Sequence, residues 1–192
     1  MSRIRTADLI RKYYQQAPLA HALLLDHSRR VCRKALTIAR HLNASQPVDL
    51  EFIAEAAMLH DIGMIFTHAP EVHCFGELPY LAHGIKGAEM LRAEGLPRHA
   101  RVCERHTGVG LTAAEIRVQQ LPLPHRDLLP ETLEERIICY ADLFFSKNRR
   151  DRGREKTPAK VRKALIGYGA EKGPVFDAWH REFGDAEKGK SI

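Results

Sequence analysis

Long apolar runs are missing from this chain: nothing in its 192 residues approaches the ~20 consecutive apolar positions that a bilayer-spanning helix needs. The opening Met1-Ser2-Arg3-Ile4-Arg5-Thr6 also lacks the apolar stretch of a secretion signal, so a cytoplasmic protein with no membrane partner is expected. Cysteine is scarce. Its four copies, Cys32, Cys74, Cys103 and Cys139, make no C-x-x-C pair, and three of them fall in helical apolar patterns. Buried free thiols in a reducing compartment are therefore expected, rather than a zinc ribbon or a disulfide framework. Period-2 strand patterns, internal repeats and low-complexity blocks are almost absent as well.

What is present reads as one all-α domain over residues 1–192, a bundle of about six to eight helices. Apolar residues spaced three or four apart mark helices over 3–16, over 19–42 after Pro18, and over 50–59, where Asp49 can serve as the cap. Further helices run over 81–94, from Pro97, over 112–120, from Glu131 or Thr132 through Phe145, and over 158–166. An aromatic tail with Phe176 and Trp179 is expected to pack back on the bundle, making 151–192 a helical extension of a core at about 19–150. Residues 64–80, punctuated by Pro70, Gly76 and Pro79, read as an irregular loop of the kind that covers a substrate. Gly63 is expected to end the helix before it.

Polar residues interrupt these apolar faces. His27 lies four after Leu23 and four before Val31, inside the stripe of the second helix. His60 and Asp61 close the third, His83 opens the fourth, His106 ends the fifth, and Asp142 sits four after Ile138. Six such groups from five segments, each otherwise needing its own buried partner, are satisfied together by shared metal. Imidazole and carboxylate are ligands of Zn, Fe, Mn, Co or Ni, and helix bundles carry such sites in their cores.

The order His27, His60-Asp61, Asp142 resembles the HD superfamily of metal-dependent phosphohydrolases, and His60-Asp61-Ile62-Gly63 resembles its HDIG branch, over roughly residues 20–150. His83 in Ala82-His83-Gly84 and His106 in Arg105-His106-Thr107-Gly108 resemble the extra histidines of its binuclear members. The resemblance implies an HD-domain helical bundle holding one or two divalent ions. The first ion would take His27, His60, Asp61 and Asp142, and the second His83 and His106, with Asp61 bridging. It also implies a metal-activated water attacking a phosphoester of a nucleotide or another small phosphorylated metabolite. Two features depart from relatives: Met64 stands where several carry Lys, and no Gly-Tyr-Pro follows His106, which argues against the cyclic-di-GMP phosphodiesterase subgroup. Small stand-alone HDIG proteins are nearer, and diadenosine tetraphosphate hydrolases share the plan more loosely.

Substrate contacts fall on Lys86, one turn after His83 and a candidate catalytic group beside Asp61, and on Arg105 and Lys147, which adjoin ligand positions. His68 and His73 read as lid residues, a proton donor, or surface histidines. The basic run 147–160 reads as a solvated linker more than a nucleic-acid groove, since it lacks interleaved aromatics and contains Asp151 and Glu155. Two other functions share the ligand set: a di-iron oxygenase on the same scaffold, and a non-catalytic nucleotide-binding regulator. A homo-oligomer is left open.

Overall fold

The computed structural model describes residues 4–148 and 153–184. Nine α-helices account for most of the described chain: α1 (Thr6–Tyr14), α2 (Pro18–Leu42), α3 (Leu50–Leu59), α4 (His83–Ala93), α5 (Pro97–Arg105), α6 (Ala113–Val118), α7 (Leu133–Asp142), α8 (Pro158–Ile166) and α9 (Lys172–Phe183). The fold is all-α, as the apolar spacing implies.

Their starts follow local chemistry. Proline opens α2, α5 and α8, at a position where a missing N–H costs nothing. The Asp49 side chain accepts from the Phe52 N–H at the start of α3, and Thr132 and Thr157 cap α7 and α8 in the same way. At α6 the cap is reciprocal: Thr112 accepts from Glu115 N–H while Glu115 accepts from Thr112 N–H.

Two expectations need correcting. Residues 64–80 are not irregular throughout. They carry 3-10 turns at Ile62–Phe66, Pro70–Val72 and Tyr80–Ala82, and a hairpin of β1 (His68–Ala69) and β2 (Cys74–Phe75) pairing His68 with Phe75 and Ala69 with Cys74. Two-residue strands are too short to show a period. The helix read from 131 through Phe145 stops at Asp142, and Phe144 turns inward beyond its end.

Gly63 has a different role from the one its position suggests. It lies inside the 3-10 turn rather than capping α3, and its φ is not positive. A Cβ there would stand 2.2 Å from the His83 carbonyl oxygen and 2.3 Å from Gly87 N, so Gly63 is needed for close approach to α4. A Cβ on Gly84 would meet the Cys103 carbonyl oxygen at 2.5 Å. Glycine on both faces of α4 thus draws the turn after α3, the start of α4 and the end of α5 together.

Two apolar clusters make the core. One gathers Ile10, Tyr14, Leu23, Leu24, Leu59 and Leu91; the other gathers Val31, Ile38, Phe52, Ile137, Phe176 and Trp179. The aromatic tail therefore does pack back on the bundle, through α9. His27 sits on α2 where Leu24 of the first cluster gives way to Val31 of the second. Among the described residues no helix is long and apolar enough to cross a membrane, and all four cysteines are free thiols.

Candidate metal centre

Helix ends deliver most of the polar groups to that junction. His60 follows α3, His83 begins α4, His106 follows α5 and Asp142 is the last residue of α7, while His27 comes from the middle of α2. The last carbonyls of a helix lack intrahelical partners. Two imidazoles use this, His60 Nδ1 donating to Ala57 O (2.8 Å) and His106 Nδ1 to Cys103 O (2.7 Å), while His83 Nδ1 donates to Tyr80 O (2.6 Å) in the 3-10 turn before α4, each three residues back. A proton held on Nδ1 leaves Nε2 with its lone pair facing inward.

His27, whose Nδ1 is buried without a hydrogen-bond partner, joins these three, and the Nε2 atoms meet carboxylate oxygens. His27 Nε2 lies 3.1 Å from Asp61 Oδ2, 2.9 Å from Asp142 Oδ1 and 3.3 Å from His60 Nε2, and His60 Nε2 lies 3.0 Å from Asp61 Oδ2. On the other side of the same carboxylate, His83 Nε2 and His106 Nε2 stand 3.2 and 3.4 Å from Asp61 Oδ1, and 3.0 Å from each other. Asp61 therefore turns one oxygen to each group. Both of its oxygens and Asp142 Oδ1 are buried without a hydrogen bond of good geometry, despite these close neighbours.

Two neutral imidazoles presenting lone pairs to each other at 3.0 Å repel unless a positive charge lies between them. Metal–ligand bonds of about 2.1 Å place neighbouring ligand atoms about 3.0 Å apart in an octahedral shell and about 3.4 Å in a tetrahedral one, the spacing seen here. Within each of the groups His27, His60, Asp61, Asp142 and Asp61, His83, His106, the ligand atoms all lie within 4.8 Å of one another. The residues fit a divalent ion in each group.

Charge in the centre is tightly balanced. Burial pushes Asp61 up, but His60 and Lys147 outweigh it and hold the carboxyl well below its ordinary range; Asp142 is held down against burial by Lys147 and His27. Burial pulls His60 down, yet Asp61 and Asp142 reverse this and lift it to about 10. Burial keeps His106 below its usual value.

The expected substrate contacts divide. Lys147 reaches the centre, with Nζ 2.7 Å from Asp61 Oδ2 and its pKa raised well above normal by Asp61 and Tyr80 against burial. Lys86 does not reach it. Three residues on from His83 it is rotated about 60° around α4, and its ammonium pairs with Glu89 at 2.8 Å. Arg105 also points elsewhere, to Glu131 (3.0 Å) and Glu135 (3.3 Å), because adjacent helical side chains diverge by about 100°.

A cavity of about 620 Å³ opens onto the centre. His83, His106, Asp142 and Lys147 stand on its wall, and Lys156, Val161, Leu165 and Tyr168 line it as well. From the 64–80 segment it takes Glu71, Val72 and Tyr80, not His68 or His73. Tyr80 escaped the sequence reading. Its carbonyl orients His83, its ring stacks on that imidazole at 4.8 Å, and burial lifts its hydroxyl to about 12. A carbonyl contact leaves no trace in residue identity, but Gly84-x-x-Gly87 inside a helix was a readable sign of close packing. Of the basic run, Arg149, Arg150, Asp151 and Arg152 lie outside the described residues.

Comparison with known proteins comes to the same region. A protein-family model for the HD domain matches residues 24–145. An uncharacterized protein of Methanocaldococcus jannaschii is 37% identical over 129 residues, 66% of this chain and 69% of that one. A tRNA (cytidine(56)-2'-O)-methyltransferase of Picrophilus torridus is 36% identical over 131 residues, 68% of this chain but 33% of that protein. One from Thermoplasma volcanium is 32% identical over 144 residues, 74% and 36%. The chain thus spans about a third of the methyltransferases it matches. Among solved structures, the HD domain of the L. monocytogenes phosphodiesterase PgpH aligns with TM-score 0.54 at 20% identity over 91% of this chain and 87% of that one; its complex with cyclic-di-AMP aligns equally well over 91% and 86%.

Proposed function

The chain belongs to the HD-domain family, and on that premise we propose that it is a metal-dependent phosphohydrolase. It releases phosphate from a nucleotide or another small phosphorylated metabolite. The observation that carries this reading is the Asp61 carboxylate, buried, with one oxygen turned to each of two groups of inward-facing imidazole lone pairs. His27, His60, Asp61 and Asp142 would hold one ion, and His83 and His106 a second shared through Asp61. Bound there, divalent ions supply a water ionised at neutral pH and neutralise charge on a phosphoryl oxygen.

The chain's own groups do the rest. The Ala57, Tyr80 and Cys103 carbonyls hold three imidazoles in one tautomer and orientation, so no rearrangement is needed to bind. Lys147, cationic and mostly buried at the cavity wall, is placed to bind a phosphoryl oxygen. The PgpH domain, a neighbour in fold, is seen with cyclic-di-AMP, which supports a nucleotide as ligand class. Four free thiols support a reducing compartment.

The test is a panel of nucleotides, dinucleoside polyphosphates and phosphomonoesters, assayed for phosphate or nucleoside release with Mn, Co, Ni and Fe. Release with one of these metals and none after chelation is expected. Turnover that requires oxygen and a di-iron site would replace the hydrolase reading with the oxygenase. Tight nucleotide binding with no turnover under any metal would leave a regulator.

A further inference from the structure

The cavity is built in two chemically different halves. One half is the centre itself, with Lys147. The other is apolar and comes from beyond the segment matched by the family model: Val161 and Leu165 of α8, then Tyr168 just past its end, facing Val109 and Leu111. Tyr168 is 75% exposed, one of the most exposed large side chains in the described structure, and among the described residues no ring packs against it. It stands between Gly167 and Gly169, with its backbone N–H donating to Leu165 O at 3.0 Å. An aromatic left uncovered at the mouth of a cavity leaves much apolar face in water. Below it, Lys172 is buried. It binds Gly110 O at 3.2 Å and pairs with Glu115, tying the root of α9 to the loop that forms the opposite wall.

We propose that Tyr168, with the α8 wall beneath it, is a recognition platform for a flat aromatic base carried by the substrate's leaving group. This inference rests on the phosphohydrolase reading and narrows it. The phosphate sits at the charged end beside Lys147, and the nucleoside extends along Val161 and Leu165 until its base stacks on Tyr168. A cavity of about 620 Å³ falls within the range of small-ligand pockets, which run about 300–1,000 Å³. Stacking of this kind tolerates any base, because every base offers a π-face, so the platform selects nucleotide over sugar phosphate rather than one base over another.

Binding separates this inference from the function it rests on. Equilibrium dialysis of the full chain, chelated so that no ligand is turned over, with AMP, GMP, CMP, UMP and ribose 5-phosphate should show each nucleotide held about tenfold or more tighter than the sugar phosphate. Tyr168→Ala should lower nucleotide affinity to that of ribose 5-phosphate, and Tyr168→Trp should keep the preference. Equal affinity for AMP and ribose 5-phosphate in the wild type overturns the inference, as does an unchanged preference in Tyr168→Ala. Phosphate release from the same ligands is scored separately. A binding preference without release from these ligands keeps the platform and leaves the hydrolase to the wider substrate panel; release without the preference keeps the hydrolase and removes the platform.

Discussion

Two buried polar clusters lie a short way apart in this molecule, and they solve opposite problems. Around Glu104 and Glu135, donors meet acceptors. Glu104 accepts from Arg92 and Arg126, and Glu135 accepts from Arg101, Arg105 and the Glu131 backbone N–H. Every carboxylate there has a guanidinium, and the carboxylate oxygens named are met by donors, with Arg105 Nε left buried without a hydrogen-bond partner. Around Asp61, two carboxylates and four imidazole Nε2 atoms converge on a single ammonium, that of Lys147, and the carboxylate oxygens make no hydrogen bond of good geometry. Both clusters are buried and rich in charge, so burial and charge alone do not tell a structural site from a functional one. The balance of donors to acceptors does. A cluster whose carboxylate oxygens stay without hydrogen bonds, even with an ammonium beside them, has room for a ligand that completes them.

Breaking the second cluster at its shared member should have the largest effect. Asp61→Ala removes the oxygen facing each group of imidazoles, so metal content by mass spectrometry should fall to background for both ions. Activity should fall more than about a hundredfold, since even outer partners of metal ligands cost about 10–100-fold. Substitutions at Glu104 should leave metal content unchanged; if they empty the centre, the contrast between the clusters fails. His106→Ala sharpens the asymmetry within the centre. It should spare the ion held by His27, His60 and Asp142 while weakening the other, so the metal-to-protein ratio falls by about half. Retention of full metal by His27→Ala or Asp142→Ala would remove the first group from the scheme.

A third test addresses how the centre is assembled. Gly63→Ala puts a methyl against the His83 carbonyl and Gly87, both backbone. Overpacking of this kind costs about 1–3 kcal/mol or more, and about 2–4 °C of Tm per kcal/mol is expected at this chain length. Because the displaced backbone carries His83, the second metal should weaken along with the fold. A stable variant with unchanged metal stoichiometry would show that α4 can shift without moving its histidine.

The centre was largely legible in the sequence because its signal is one of residue type against pattern. His27 inside an apolar stripe and Asp142 beside Ile138 are anomalies that periodicity alone exposes. Adjacency in sequence does bring Lys147 to the centre, but the side chains of Lys86 and Arg105 point away from it. Neighbouring positions on a helix point apart, and each side chain had a carboxylate of its own nearby. Gly63 was read as a helix stop when it serves a close backbone approach, because a glycine's neighbours across the fold are not written beside it. The apolar wall of the cavity and its Tyr168 rim were out of reach for the same reason. Their meaning depends on α8 folding back over a centre that ends, in sequence, many residues earlier.

The smallest effect should come from the Glu104–Glu135 cluster, and its sign with pH is fixed. Burial raises the pKa of Glu104, but Arg126 and Arg92 outweigh burial and hold it below its ordinary value. A carboxyl depressed in the folded state contributes stability that is fully present above its unfolded pKa and is lost as pH falls through the folded one. Glu104→Gln should therefore lower Tm at pH 7, by the loss of charge-assisted hydrogen bonds worth about 1.5–3 kcal/mol before discounting for the half-exposed arginines. The gap between variant and wild type should hold from pH 7 to pH 5 and narrow in melts taken below about pH 4.5, because acid there removes from the wild type the charge that the variant never had. A gap that stays constant across this range would mean the carboxylate contributes through shape alone. The two clusters would then differ in less than their charge balance implies.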